Sequence, residues 1–72
     1  MDRISIGLNA GKVWHILSDN EKWCFDKLKT KSGLNDLELA AAIGWLARED
    51  KVSFVNEDGN DYVCLLLNVY IG

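Results

Sequence analysis

With 72 residues the chain is long enough for one domain, and a chain this short buries a smaller share of its surface than a longer one. Hydrophobic residues make up 49% of it and proline is absent, which excludes an intrinsically disordered chain. The formal charge of −3 opposes non-specific attraction to a polyanion, although it does not exclude a local basic patch. We therefore expect a single ordered domain over residues 1–72.

The first predicted helix runs from about Ala10 to Ser18. Asn9 is a suitable N-cap, and the apolar residues after it recur at i, i+3, i+4 and i+7, as on one face of a helix. We expect that face to lie in the core through Ala10, Val13, Trp14 and Leu17.

A short strand and a second helix follow. Residues 19–22 are polar and typical of a turn, and residues 23–25 (Trp-Cys-Phe) are of strand type. The segment Asp26–Ser32 is predicted to form a helix with Leu28 facing inward. Gly33 is the expected stop.

The third predicted helix begins after Asn35, which forms a capping-box pattern with Glu38. Strong helix formers continue to about Glu49. This helix is expected to pack on the first two through Leu39, Ile43 and Leu46.

The chain is predicted to continue into a β-hairpin. The runs Val52–Val55 and Tyr62–Leu67 are of strand type, and the loop at 57–60 contains Gly59, which supplies the positive φ that hairpin loops require. The order helix, strand, helix, helix, hairpin predicts an α+β winged helix-turn-helix fold with three helices and a small antiparallel sheet.

Two segments carry a family resemblance. Residues 9–14 (Asn-Ala-Gly-Lys-Val-Trp) and 44–52 (Gly-Trp-Leu-Ala-Arg-Glu-Asp-Lys-Val) resemble a small bacterial winged helix-turn-helix family classed as a domain of unknown function. The resemblance covers nearly the whole chain. It implies the winged-helix fold, a bacterial cytoplasmic setting and a DNA-binding ancestry, but no established activity.

The cysteines and the single histidine limit the chemistry of the chain. Cys24, Cys64 and His15 form no zinc-ligand spacing, so we expect neither a structural metal nor a cofactor. His15 has no visible catalytic partner, and an ordinary surface residue is the simpler interpretation. The pairing of the first and last strands would bring Cys24 near Cys64 as reduced packing thiols. We expect a protein that is not an enzyme.

We expect a cytoplasmic protein that is not associated with membranes. No apolar run approaches the ~20 residues that cross a bilayer, and residues 1–8 do not resemble a signal peptide. A short domain without disulfides or metal commonly gains stability by burial against another chain, which predicts a homodimer.

The outward face of the third helix is one candidate protein interface. The third helix is apolar almost all round, and a helix of this kind is normally covered on both sides. The alternative is that Trp45 packs under the hairpin or the N-terminal segment. The candidate interface residues are Leu37, Ala41, Gly44 and Trp45.

The C-terminal strand is the other candidate interface, because it is apolar on both faces from Tyr62 to Ile71. A partner chain or the Ile4 and Ile6 segment folding back would cover the second face. The sequence does not rank this surface, with Leu66, Val69 and Tyr70, against the third helix.

DNA binding is the alternative function. Lys27, Lys29 and Lys31 on the second helix and Arg48 on the third are candidate phosphate contacts. Acidic residues oppose this function at the start of the third helix and in the wing: Asp36, Glu38, Glu57, Asp58 and Asp61.

Overall fold

The computed structural model of the chain describes residues 1–66. Its elements are α1 (Arg3–Leu17), β1 (Trp23–Cys24), α2 (Phe25–Ser32), α3 (Asp36–Arg48), β2 (Val52–Glu57) and β3 (Asn60–Leu65). The strands form one antiparallel sheet in the order β1-β3-β2. The predicted class of three helices with a small antiparallel sheet is therefore confirmed.

Helix α1 begins at Arg3 and not near Ala10. The Asp2 carboxylate accepts the backbone N–H of Ser5 at 2.8 Å, and the Asp2 N–H donates to the Ser5 hydroxyl at 3.0 Å. These reciprocal bonds satisfy the backbone N–H groups of Asp2 and Ser5 at the start of the helix. The prediction that Asn9 caps this helix is wrong, because Asn9 lies inside it.

The buried side of α1 consists of Ala10, Val13 and Leu17. Trp14, in contrast, is 43% exposed. A helix turns by about 100° per residue, so Trp14 lies at the edge of the stripe that Val13 and Leu17 define. The prediction of a core position for Trp14 is wrong, whereas the other three residues lie in the core as expected.

The last residue of α2, Ser32, carries the only buried polar side chain of the described residues. Its hydroxyl donates to the carbonyl of Lys29 at 3.2 Å and accepts the N–H of Leu34 at 3.3 Å. Gly33 ends α2 in the left-handed region at φ 73°. The predicted stop is confirmed, and α2 starts one residue earlier than predicted, at Phe25.

Helix α3 follows its prediction closely. The Asn35 side chain accepts the N–H of Glu38 at 2.8 Å, and the Glu38 carboxylate accepts the N–H of Asn35 at 3.0 Å. The residues of α3 that lie in the core are Leu39, Ala42, Ile43 and Leu46.

The hairpin of β2 and β3 turns through Asp58 and Gly59, whose φ angles are 53° and 81°. Two consecutive positive φ values are typical of the type I′ turn that matches strand twist. Strand β3 therefore starts at Asn60, before the predicted Tyr62. Its described part ends at Leu65, and Leu67 lies outside the described residues.

One side of the sheet faces the helices. Val52 pairs with Leu65 and Phe54 with Val63, so these four side chains share a face. Val52 and Val63 join the core, and Leu65 packs against it. The residues of the core that come from the helices and their connection are Ala10, Val13, Leu17, Leu28, Leu34, Leu39, Ala42, Ile43 and Leu46.

Candidate protein-interaction surface

The outer face of α3 carries apolar side chains that nothing in residues 1–66 fully covers. Leu37 is 65% exposed and Trp45 is 40% exposed, and Ala41 lies between them at the four-residue spacing of one helix face. The alternative placed Trp45 under the hairpin or the N-terminal segment, and its indole does lie against the N-terminal segment at Gly7, although 40% of the residue stays exposed. We call Leu37, Ala41 and Trp45 the α3 surface.

Helix α1 extends this surface. An added Cβ at Gly7 would lie 3.9 Å from Cζ2 of Trp45, so the indole lies over the α1 backbone. Ile4 and Leu8, one turn apart on α1, are more exposed than either Leu37 or Trp45. Two exposed aliphatic side chains therefore stand on α1 near the α3 surface.

The sequence interpretation missed Ile4 and Leu8 as surface residues, because it placed them ahead of the helix. Ile4 and Ile6 belong to α1 and not to an extended N-terminal segment, and Ile4 is 77% exposed. The pattern Asp2-x-x-Ser5 is the sequence signal that predicts the earlier start, although serine is a less familiar third residue of a capping box than Glu or Gln.

The C-terminal strand presents less free apolar surface within the described residues. Val63 is buried, Leu65 packs on the core, and the ring of Tyr62 lies under Lys22 Nζ at 4.8 Å from its centroid. Leu66 is 40% exposed. The candidate residues Val69 and Tyr70 lie outside the described residues.

Gly44 belongs to a different surface from Trp45. It lines a groove of about 540 Å³ between α3 and the sheet. The other residues that line this groove are Phe25, Ala40, Ile43, Phe54, Asp61 and Val63. The structure thus separates Gly44 from the α3 surface with which the sequence grouped it.

The four candidate DNA contacts do not form one patch. Lys27 and Lys31 are exposed and line a shallow depression with Trp23, Asp26 and Thr30. Lys29 instead forms an ion pair with Asp36 at 2.7 Å, and this hydrogen bond raises the pKa of Lys29. Arg48 is exposed beside Trp45 and Glu49.

The acidic wing is partly neutralised. Glu57 forms an ion pair and hydrogen bond with Lys22, which raises the pKa of Lys22. Asp61 accepts a hydrogen bond from the Asn56 amide at 2.8 Å, and neither of the two ion pairs within residues 1–66 includes it.

The two cysteines and the histidine belong to no metal-binding group within the described residues. Cys24 is opposite Tyr62, and Cys64 is two residues further along β3, so both cysteines lie on the same face of the sheet as diagonal neighbours. Both are free thiols. His15 is exposed. Within residues 1–66 no group of three or more His, Cys, Asp or Glu side chains is placed to hold a metal ion. No helix of this part of the chain is long and apolar enough to cross a membrane.

Comparison with known proteins identifies the family. An uncharacterised protein of the archaeon Methanocaldococcus jannaschii, MJ1608, is 44% identical over 63 residues, which cover 85% of this chain and 89% of the relative. The resemblance had implied a bacterial family, but this relative comes from an archaeon. The solution NMR structure of protein BT2368 from Bacteroides thetaiotaomicron matches with a TM-score of 0.87 and 35% identity, over 100% of this chain and 90% of that one. Residues 1–65 match the family described as "Winged helix-turn-helix domain (DUF2582)", and the chain belongs to this family.

Proposed function

We propose that this chain is a non-enzymatic protein-interaction module that forms a two-fold homodimer through the α3 surface. The observation that carries the proposal is the exposure of Leu37 and Trp45 at 65% and 40% on a helix that the fold already covers on its other side. Exposed apolar patches on small domains mark interaction sites. A reducing, cytoplasmic setting, in which Cys24 and Cys64 remain thiols, is part of the proposal.

The neighbouring side chains of α1 support a shared interface. Ile4 and Leu8 are exposed, and the contact of Trp45 with Gly7 joins the two helices at this point. In a two-fold dimer the same patch of both copies would be buried at once. Trp45 is the expected anchor, since buried tryptophans contribute a disproportionate share of the binding free energy.

The strand is the weaker candidate for this interface. Tyr62, Val63 and Leu65 already contact other residues of the chain, so Leu66 is the one candidate of the described strand region with a largely free apolar side chain. The α3 surface offers two such side chains, Leu37 and Trp45, on the side of the helix that faces away from the core.

The test is sedimentation equilibrium over a dilution series with two matched variants. Trp45→Glu and Leu66→Glu each place a carboxylate where an apolar side chain is 40% exposed. We expect the wild type and Leu66→Glu to form dimers of equal affinity, and Trp45→Glu to be a folded monomer by circular dichroism. A wild type that stays monomeric at high micromolar concentration, or a dimer that survives Trp45→Glu, contradicts the proposal.

DNA binding is a second candidate function, favoured by the exposure of Lys27 and Lys31 one turn apart on α2. The first helix of a helix-turn-helix motif often crosses the phosphate backbone. Against it stand the pairing of Lys29 with Asp36 and the carboxylates in the first turn of α3.

A further inference from the structure

The groove between α3 and the sheet exists because two small residues face a large one. Phe54 lies on the same side of the sheet as buried Val52 and Val63, yet it is 58% exposed. The residues of α3 that line the groove beside it include Ala40 and Gly44. Neither has a side chain large enough to cover the ring, so a strip of the helix-facing side of the sheet stays open.

The groove is apolar and concave. Buried Ile43 and Val63 line it together with the partly exposed rings of Phe25 and Phe54. Burial of these exposed rings against another apolar side chain would remove apolar surface from water, which is favourable. This groove therefore favours an apolar side chain of another molecule.

Asp61 is the only charged residue among those that line the groove. Asp61 precedes Val63 by two residues, so the two share one face of the sheet, and Asp61 lies at the end of the groove near the hairpin turn. One carboxylate oxygen accepts the Asn56 amide, which leaves the other oxygen available. Asp58 of the turn adds a second negative charge near this end.

We propose that this groove binds a peptide segment of a partner protein in which an apolar side chain is followed closely by a lysine or arginine. The apolar side chain packs between Phe25 and Phe54, and the cation pairs with Asp61. Charge complementarity selects this occupant, since Asp61, the nearby turn and the net charge of −3 all repel an acidic segment. The inference goes beyond the proposed dimer, because it concerns a different surface and a different partner.

Gly44→Leu is the variant that blocks the groove without harming the fold. A Cβ added at Gly44 meets no atom within 4 Å, and φ at this position is not in the left-handed region. Leucine is also the better helix former. We expect thermal melts to show Gly44→Leu at least as stable as the wild type while its side chain occupies the peptide site.

The experiment is selection of a phage-displayed random peptide library on the wild type, with depletion on Gly44→Leu. Enriched peptides are expected to combine an aliphatic or aromatic residue with a lysine or arginine. Fluorescence polarisation of the best synthetic peptide is expected to show an affinity at least about tenfold weaker for Gly44→Leu and for Phe54→Ser.

A charge reversal tests the role of Asp61. We expect the wild type to prefer the selected peptide over its Lys/Arg→Glu counterpart and Asp61→Lys to prefer the counterpart. Glu49→Lys makes the same change of net charge outside the groove, and it is expected to keep the wild-type preference. An unchanged preference in Asp61→Lys overturns the proposal.

Two further outcomes also overturn it. One is that no peptide distinguishes the wild type from Gly44→Leu. The other is that sedimentation finds Gly44→Leu and Phe54→Ser monomeric while Trp45→Glu stays dimeric, which assigns the groove to a second copy of the chain. If the chain binds the peptide but is monomeric at every concentration tested, the proposed dimer is contradicted and the groove inference is not.

Discussion

The indole of Trp45 lies over the backbone of Gly7, where an added Cβ would be 3.9 Å from Cζ2. This is an ordinary van der Waals separation, so the structure has room for one methyl group. Alanine also loses less backbone entropy than glycine inside a helix. We therefore expect Gly7→Ala to raise the free energy of unfolding by about 0.5–1 kcal/mol in urea titrations.

Gly11→Ala is the matched control for that change. Gly11 belongs to the same helix, and a Cβ there meets no atom within 4 Å. It is expected to gain a similar amount from helix propensity alone. If Gly7→Ala loses stability while Gly11→Ala gains it, Trp45 packs on Gly7 more tightly than the structure shows.

Two leucines of α3 test the helical phase. Leu39 is fully buried, whereas Leu37 is 65% exposed. At a concentration where the chain is monomeric, Leu39→Ala should lower the free energy of unfolding by about 2–5 kcal/mol through lost packing and the cavity that remains. Leu37→Ala should change it by no more than about 0.5 kcal/mol. Equal losses from the two substitutions would contradict the described orientation of α3.

The parts of the fold that sequence predicts well are those with local chemical signals. Asn35 with Glu38 marks the start of α3, and Gly33 and Gly59 mark positive φ at a helix end and a turn. The start of α1 was mispredicted because Asn9 is as good a cap by type as Asp2. The reciprocal hydrogen bonds between Asp2 and Ser5 decide in favour of the earlier start, and the helix then continues without a break through Asn9.

The candidate surfaces are harder to read from sequence, because they depend on which elements meet. Helical periodicity places Leu37, Ala41 and Trp45 on one face, but it does not reveal that Trp45 contacts Gly7. Likewise, strand alternation assigns Phe54 to the core side of the sheet. Its exposure follows from the small residues of α3 that line the groove beside it, which is a tertiary relationship.

The cap of α1 predicts a dependence on pH. The backbone hydrogen bond from Ser5, and then its side-chain hydrogen bond, hold the pKa of Asp2 below its ordinary value. The stabilisation of α1 is therefore complete above the unfolded-state pKa of Asp2 and is lost as the pH falls through the lower folded-state value. We expect the Cα chemical shifts of the first turn to move toward coil values between about pH 5 and about pH 2.

Asp2→Asn keeps an acceptor for the Ser5 N–H but has no carboxylate to protonate. Its first-turn shifts should therefore stay nearly constant over the range in which those of the wild type change. The same acid transition in both proteins would assign it to another carboxylate and contradict the role of Asp2.

The last prediction concerns DNA. Fluorescence polarisation of mixed-sequence duplex DNA should detect no binding at about 200 mM salt, because one of the three lysines of α2 is already paired and the start of α3 is acidic. Any weak binding at about 50 mM salt should fall steeply as salt is added, since contacts to phosphate release counterions. Lys27→Glu with Lys31→Glu should abolish it, whereas Arg3→Glu with Lys51→Glu, which makes the same change of net charge at exposed positions outside α2, should weaken it less. Binding that persists at about 200 mM salt and is lost in the α2 double variant alone would establish DNA as the partner of α2. If Trp45→Glu left that binding unchanged, the α3 surface would take no part in it.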